Sequence, residues 1–246
     1  MPNNRIVSQQ DWFQVHKAHL AREKELTRFR DRIAAERREL PWLKMRKDYV
    51  FETEQGPKKL ADLFGGASQL IVYHFMFGPG ADYRCEGCSF LADHIDGANQ
   101  HLKHHDVSLV VISRAPLAEF LPYKQRMGWN FDWVSSYASD FNFDMQVSFT
   151  DKQIASGDTT YNFEQRALRS KDLPGISVFY RDENGDIFLT FMSRSRGGDP
   201  LIGAYHYLDL TPKGRNETGP YHSLMDWVRL HDEYAGRHEM QDACCH

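Results

Sequence analysis

Two apolar runs constrain this chain most. SQLIVYHFMF (68–77) and VSLVVIS (107–113) are dense in branched and aromatic residues, the composition of strands buried on both faces. Between them Phe90, Leu91, His94, Ile95, Ala98 and Leu102 fall on one helical face, and after the second run Pro116 leads a helical stretch to about Met127. A β-α-β-α order of this kind predicts a parallel sheet with helices on its faces, joined by right-handed crossovers.

The flanks extend that domain. Upstream, YVFET looks like a strand and GPKKLADLF like a turn and short helix. Downstream, ISVFY and IFLTFM flank DENGD, a hairpin signal centred on Asn184-Gly185 that adds an antiparallel edge to the sheet. The stretch 150–172 is polar and reads equally as helix or loop. Before the domain, Ser8 and Asp11 form a helix-start pair, and Leu26, Phe29 and Ile33 keep helical spacing until Pro41 stops the helix. Its apolar stripe is thin, so the helix is expected to lie across the main body or against a second subunit in a homodimer. The expected organisation is an N-terminal helical extension (1–44), an α/β domain (45–220) and a C-terminal helix or tail (221–246).

Charge and hydropathy narrow the partners. Residues 16–47 hold eleven Lys and Arg against five Asp and Glu in a chain of net charge −4. Acids interrupt that basic run throughout, as on a solvated helix face, so nucleic acid is not expected. No stretch has the apolar length to cross a bilayer, and MPNNRIVSQQDW has no apolar segment like a secretory signal, which predicts a cytoplasmic protein without a membrane role. In a reducing compartment the four cysteines do not form a disulfide framework, so their spacing matters more than their number.

Cys85 and Cys88 stand where the first strand delivers the chain, through GPGADYR, to a helix N-terminus. One helical turn apart, they share a face at a separation that suits a disulfide. Unpaired N–H groups and the helix dipole favour a thiolate there, which makes Cys85 the expected nucleophile. Arg84 favours that thiolate further, while Glu86, separated from Cys88 by Gly87, opposes it through like charge. Cys88, deeper in the turn, is suited to resolving a mixed disulfide. Pro174, at the start of a strand and hairpin, has the place of the cis-proline that faces the cysteines in thioredoxins; the plainer alternative is an ordinary strand-start proline. His206, in AYHYLDL, is a proton-transfer candidate if the C-terminal segment folds over the cysteines.

Other chemistries fit less well. Zinc is the main competitor, because His94, His101, His104 and His105 follow the Cys-x-x-Cys pair, but a structural site draws its second pair from a separate knuckle. No metal and no cofactor are expected. Cys244, Cys245 and His246 end a polar tail and read as incidental. The peroxiredoxin pattern of an upstream Pro and Thr or Ser is missed by Pro79 and Asp82, and Ser89 stands where haem attachment needs histidine. The cluster Trp129, Phe131, Trp133, Tyr137, Phe141 and Phe143 reads as core in preference to a substrate groove.

YHFMFGPGADYRCEGCSFLADHIDG, VSSYASDFNFD, PGISVFYRDENG and GAYHYLDLTPKGRNE together resemble an uncharacterised thioredoxin-like family named as a domain of unknown function (number 899) and described as predicted dithiol-disulfide oxidoreductases. With the leading helix the resemblance covers most of residues 10–218. It implies a thioredoxin-like α/β fold, a central mixed sheet flanked by helices, with Cys85 and Cys88 as redox pair acting on a protein or small-molecule thiol or disulfide. Glu86-Gly87 departs from the usual thioredoxin dipeptide, which leaves reductant or oxidant open. The alternatives are a thioredoxin-fold binding module with metal-bound or inert cysteines, and a thiol peroxidase.

Overall fold

The computed structural model describes residues 4–234. They divide into a unit that ends at Trp42 and one that begins at Leu43. The first is a single helix, α1 (Gln9–Arg38), whose start is fixed by Ser8: its hydroxyl oxygen accepts the Asp11 backbone N–H at 3.1 Å. Arg37 and Arg38 complement the dipole at the other end, and no residue of α1 is buried.

The second unit runs through β1 (Leu43–Lys44), β2 (Val50–Phe51), β3 (Lys58–Lys59), β4 (Gln69–His74), α2 (Glu86–Ala92), α3 (Ile95–Leu102), β5 (Val107–Ser113), α4 (Leu117–Arg126) and β6 (Asp132–Ser135). It continues with α5 (Phe141–Asp144), α6 (Asp151–Ser156), β7 (Thr160–Tyr161), β8 (Glu164–Gln165), β9 (Gly175–Arg181), β10 (Ile187–Arg194) and α7 (Gly203–Leu208). The main sheet has the order β1-β10-β9-β4-β5-β6. β4, β5 and β6 are parallel, while β9 is antiparallel to both β4 and β10.

Alternation along β4 divides the core. Tyr73 and Phe75 enter one apolar cluster with Cys88, Phe90, Phe120 and Trp133; Leu70 and Val72 enter another with Phe51, Phe64, Phe141 and Phe179. Among the described residues no helix is long and apolar enough to cross a membrane.

Four expectations change. The hairpin of β9 and β10 is not the sheet edge: β9 sits between β4 and β10, and β1 covers β10. Its residues Gly175, Ile176, Ser177 and Phe179 are all buried, as an inner strand requires. The aromatic stretch supplies strand β6, with Trp133 and Val134 buried; as core, Trp129, Phe131, Trp133 and Phe141 behave as expected, while Phe143 is half-buried and Tyr137 exposed. The helix after the cysteines breaks into α2 and α3. The His94 ring takes the Phe90 carbonyl at 2.7 Å, and the His94 backbone N–H bonds Leu91 in its place. Finally, 150–172 holds both helix and strand: α6, capped reciprocally by Thr150 and Gln153 and ended by left-handed Gly157 (φ 69°), then the β7–β8 pair.

Candidate active site

β4 aims the chain at the first turn of α2. Beyond His74 the Phe75 N–H still bonds Ile112, and the Phe77 carbonyl accepts from Ala115, so the strand direction is held almost to the loop. Cys85 is then the N-cap of α2, in extended geometry (φ −65°, ψ 104°), and its Sγ accepts the Cys88 backbone N–H at 3.2 Å. The Cys85 carbonyl accepts the Ser89 N–H and hydroxyl at 2.9 and 2.8 Å. With its own proton so committed, Ser89 Oγ accepts from the Tyr123 hydroxyl at 2.8 Å. A cysteine thereby does the capping that serine does elsewhere.

The two sulfurs are free and unequal. Cys85 is partly exposed, whereas Cys88 is 1% exposed. The Cys85 thiol is held below its ordinary value, first by a hydrogen bond from the Cys88 thiol and then by the N–H groups of Cys88 and Gly87, against burial and the Glu86 charge. Cys88 is pushed well up, first by burial and then by its bond and like charge with Cys85. Tyr73 is raised as well, chiefly by burial, and as a neutral phenol it donates to the Cys88 carbonyl at 3.5 Å.

The neighbours divide differently from expectation. Arg84 donates to the Ala81 carbonyl and lies over the rings of Phe77 (4.2 Å) and Tyr123 (5.5 Å), so its charge is held by aromatic faces and a carbonyl. The opposing Glu86 carboxylate is offset by Arg229, at 3.8 Å. Arg229 belongs to a strap, residues 217–234. Its Val228 and Leu230 are buried in the Cys88 cluster, and Trp227 meets Phe90 edge to face at 5.4 Å. Arg126 holds the strap by a two-pronged bond to Asp232 (2.7 and 3.0 Å), and His231 bonds Asp93 at 2.7 Å. Leu224 lies against Gly87, where an added Cβ would meet its Cδ1 at 3.2 Å. The signal for the strap was SLMDWVRL (223–230), an apolar patch inside a tail that reads as polar.

A cavity of about 330 Å³ opens beside Cys85, with Pro174, Ile176, Leu91, Ile202 and the strap residues Leu224 and Met225 among its walls. Pro174 thus lines the same cavity as Cys85 and Cys88, and its peptide bond is trans, since no described peptide bond is cis. Its carbonyl accepts the Tyr161 hydroxyl at 2.7 Å. Buried Arg194 pins the next residues by donating to the carbonyls of Ile176 (2.7 Å) and Met145 (2.6 Å), and burial lowers its pKa to about 10. His206 is exposed, its Nε2 at 3.1 Å from the Pro200 carbonyl, and is not among the cavity walls. The C-terminal segment that does cover the cysteines is the strap, which brings no histidine into the cavity lining.

The family model described as "Bacterial protein of unknown function (DUF899)" matches residues 1–234. The chain belongs to that family. No curated protein matches it. Peroxidoxin BcpB from Mycobacterium tuberculosis is similar at 13% identity and a TM-score of 0.42, covering 69% of this chain and 96% of its own. A cysteine-to-serine mutant of Xylella fastidiosa PrxQ is similar at 11% and 0.43, covering 65% and 88%. The mitochondrial 2-cys peroxiredoxin of Plasmodium falciparum is similar at 14% and 0.40, covering 67% and 92%. The body of this family member is thioredoxin-like: a central strand runs to the cysteine helix, with a parallel neighbour on one side and an antiparallel hairpin on the other.

The zinc competitor loses His94. Its Nε2 accepts the Ala204 N–H at 3.0 Å, which leaves Nδ1 as the donor to Phe90; both ring nitrogens are used inside the protein. Among the described residues no group of three or more His, Cys, Asp or Glu is placed to hold a metal. Cys244, Cys245 and His246 lie outside the described residues.

Proposed function

We propose that the protein is a dithiol-disulfide oxidoreductase in which Cys85 attacks and Cys88 resolves. The observation that carries this reading is the inequality of the two sulfurs. Cys85, partly exposed, accepts a backbone N–H that stabilises its thiolate, and buried Cys88 stands one turn behind it. Cys85 opens a substrate disulfide and forms a mixed disulfide; Cys88 then attacks the Cys85 sulfur, closes the internal disulfide and frees the substrate thiol. A thiol or disulfide, protein or small molecule, is the partner, and a reducing cytoplasm is the compartment.

The test equilibrates purified protein across a series of glutathione redox poises, traps free thiols with an alkylating mass tag and reads the Cys85–Cys88 disulfide fraction, with bound zinc measured in the same sample. A metal-free pair switching between about −300 and −120 mV supports the reading, and its midpoint gives the direction of electron flow. Stoichiometric zinc, or thiols that never pair, overturns it in favour of a binding module. A homodimer through α1, whose Trp12, Phe13, Leu20 and Leu26 are exposed, is part of the same proposal. Sedimentation showing monomer alone would remove it.

A further inference from the structure

We infer that the cavity beside Cys85 seats the apolar half of a low-molecular-weight dialkyl disulfide; this rests on the dithiol reading above and names its substrate class. The cavity holds about 330 Å³, the small end of small-molecule sites, and the surface its wall exposes is mostly apolar, although Arg196, Asp199 and Ser193 belong to that wall. The strap makes it a pocket and not a groove, because Leu224 closes over Gly87 between the two cysteines and Met225 continues that wall.

Two features argue against a protein substrate. A peptide that adds itself along a strand needs free main-chain groups beside the sulfur. Here the Pro174 carbonyl is taken by Tyr161, the Ile176 carbonyl by Arg194, and β9 is paired on both edges by β4 and β10. Leu224 of the strap also lies against Gly87, between the two cysteines, where a partner chain laid across them would have to pass. A hydroperoxide fits less well. Its departing alkoxide calls for strong hydrogen-bond donation, and the polar residues of the wall, Ser193, Arg194 and Arg196 among them, turn little polar surface to the cavity, whereas a thiolate leaves with far less help.

The step balances within the dithiol. The Cys85 thiolate attacks one sulfur of RSSR, the substrate S–S bond breaks, and the departing RS⁻ takes a proton; the other R group stays in the cavity as Cys85–S–S–R. Cys88 gives up its thiol proton and attacks the Cys85 sulfur, expelling the second RS⁻, which is protonated in turn. The protein loses two electrons, the substrate gains two, and two RSH leave. In the assay dithiothreitol restores the dithiol.

Dipropyl disulfide and bis(2-hydroxyethyl) disulfide test this, because they share a dialkyl S–S bond and differ in an apolar or hydroxyl end. Burying that end predicts a preference of about ten- to fifty-fold in kcat/KM for dipropyl disulfide. Gly198→Leu fills the cavity, since a Cβ there meets Leu91 at 3.2 Å and Ile176 at 3.9 Å; it should abolish the preference, with an unchanged urea-unfolding midpoint showing that the fold is kept. Leu224→Ala, a milder change at the strap, should cut the preference about threefold. Equal rates for the two disulfides, faster turnover of insulin disulfides, or faster turnover of cumene hydroperoxide would each overturn the assignment.

A redox-silent measurement separates this inference from the dithiol reading. The Cys85→Ser/Cys88→Ser protein should bind dipropyl sulfide, with methyl chemical-shift changes at Met225 and Ile202. Binding there with no redox cycling in the wild type keeps the seat and discards the dithiol function. Cycling in the wild type with neither binding nor preference keeps the function and discards the seat.

Discussion

Tyr73 and His74 are adjacent on β4, both buried, and face opposite clusters, so they compare two environments on one strand. On the Tyr73 side the sheet meets a partly exposed thiol, a cavity and a strap. On the His74 side it meets Ser177, whose Oγ is 2.9 Å from Nε2, and the Phe141 ring at 5.7 Å. Burial, with Arg194 adding to it, lowers the His74 pKa to about 3 and leaves the ring neutral. The lesson is that burial alone removes charge. Cys85 escapes because backbone N–H groups and the Cys88 thiol meet its sulfur where the wall opens. On the first face the polarised sulfur lies in the wall of a cavity.

The largest test of that contrast is Cys88→Ser. Cys85 should still form a mixed disulfide, and its release should fall by at least about a hundredfold, read as a persistent adduct by mass spectrometry; release at the wild-type rate breaks the assigned roles. Next, Phe179→Ala empties a fully buried site on the His74 face. It should cost about 3–5 kcal/mol in urea unfolding while Cys85 alkylation stays within about twofold, and a parallel loss of thiol reactivity would show that the faces are coupled.

His74 gives a pH test. Its folded pKa, about 3, lies below the ordinary 6.5, so between those values the unfolded chain binds the extra proton. Stability should therefore fall as pH drops through that window, by up to about 1.4 kcal/mol per pH unit, and His74→Gln should flatten the slope in urea titrations. A slope unchanged by the substitution would show that another group governs it. The smallest effect is Arg229→Ala. Freed of its partner, Glu86 should disfavour the Cys85 thiolate, slowing alkylation at neutral pH by no more than about twofold and by less in high salt. Faster alkylation would reverse the role given to Arg229.

Local pattern stops where the contacts become distant. Ser8 and Asp11 act within one turn, and their cap is in place; the runs of β4 and β5 and the Asn184-Gly185 turn likewise signal themselves through nearby residues. Arg84 is legible as a cation beside a cysteine but not as one held over Phe77 and Tyr123, because those rings arrive from other elements. β9 reads as an outer strand until its second edge is seen against β4, and His206 reads as a catalytic neighbour until α7 is placed.

Local sequence is enough for the strands and helices with strong period and for the location of Cys85 and Cys88 at the opening of a helix. Those are properties of neighbours within about one turn or one strand, where period and capping act directly. The strand order, the cavity beside Cys85 and the strap that closes it come from tertiary packing. Each depends on groups far apart in the chain, such as Glu86 with Arg229 or Pro174 with Tyr161. Such pairs form because burial requires polar groups to find partners, and which partner is within reach is a matter of packing and not of spacing.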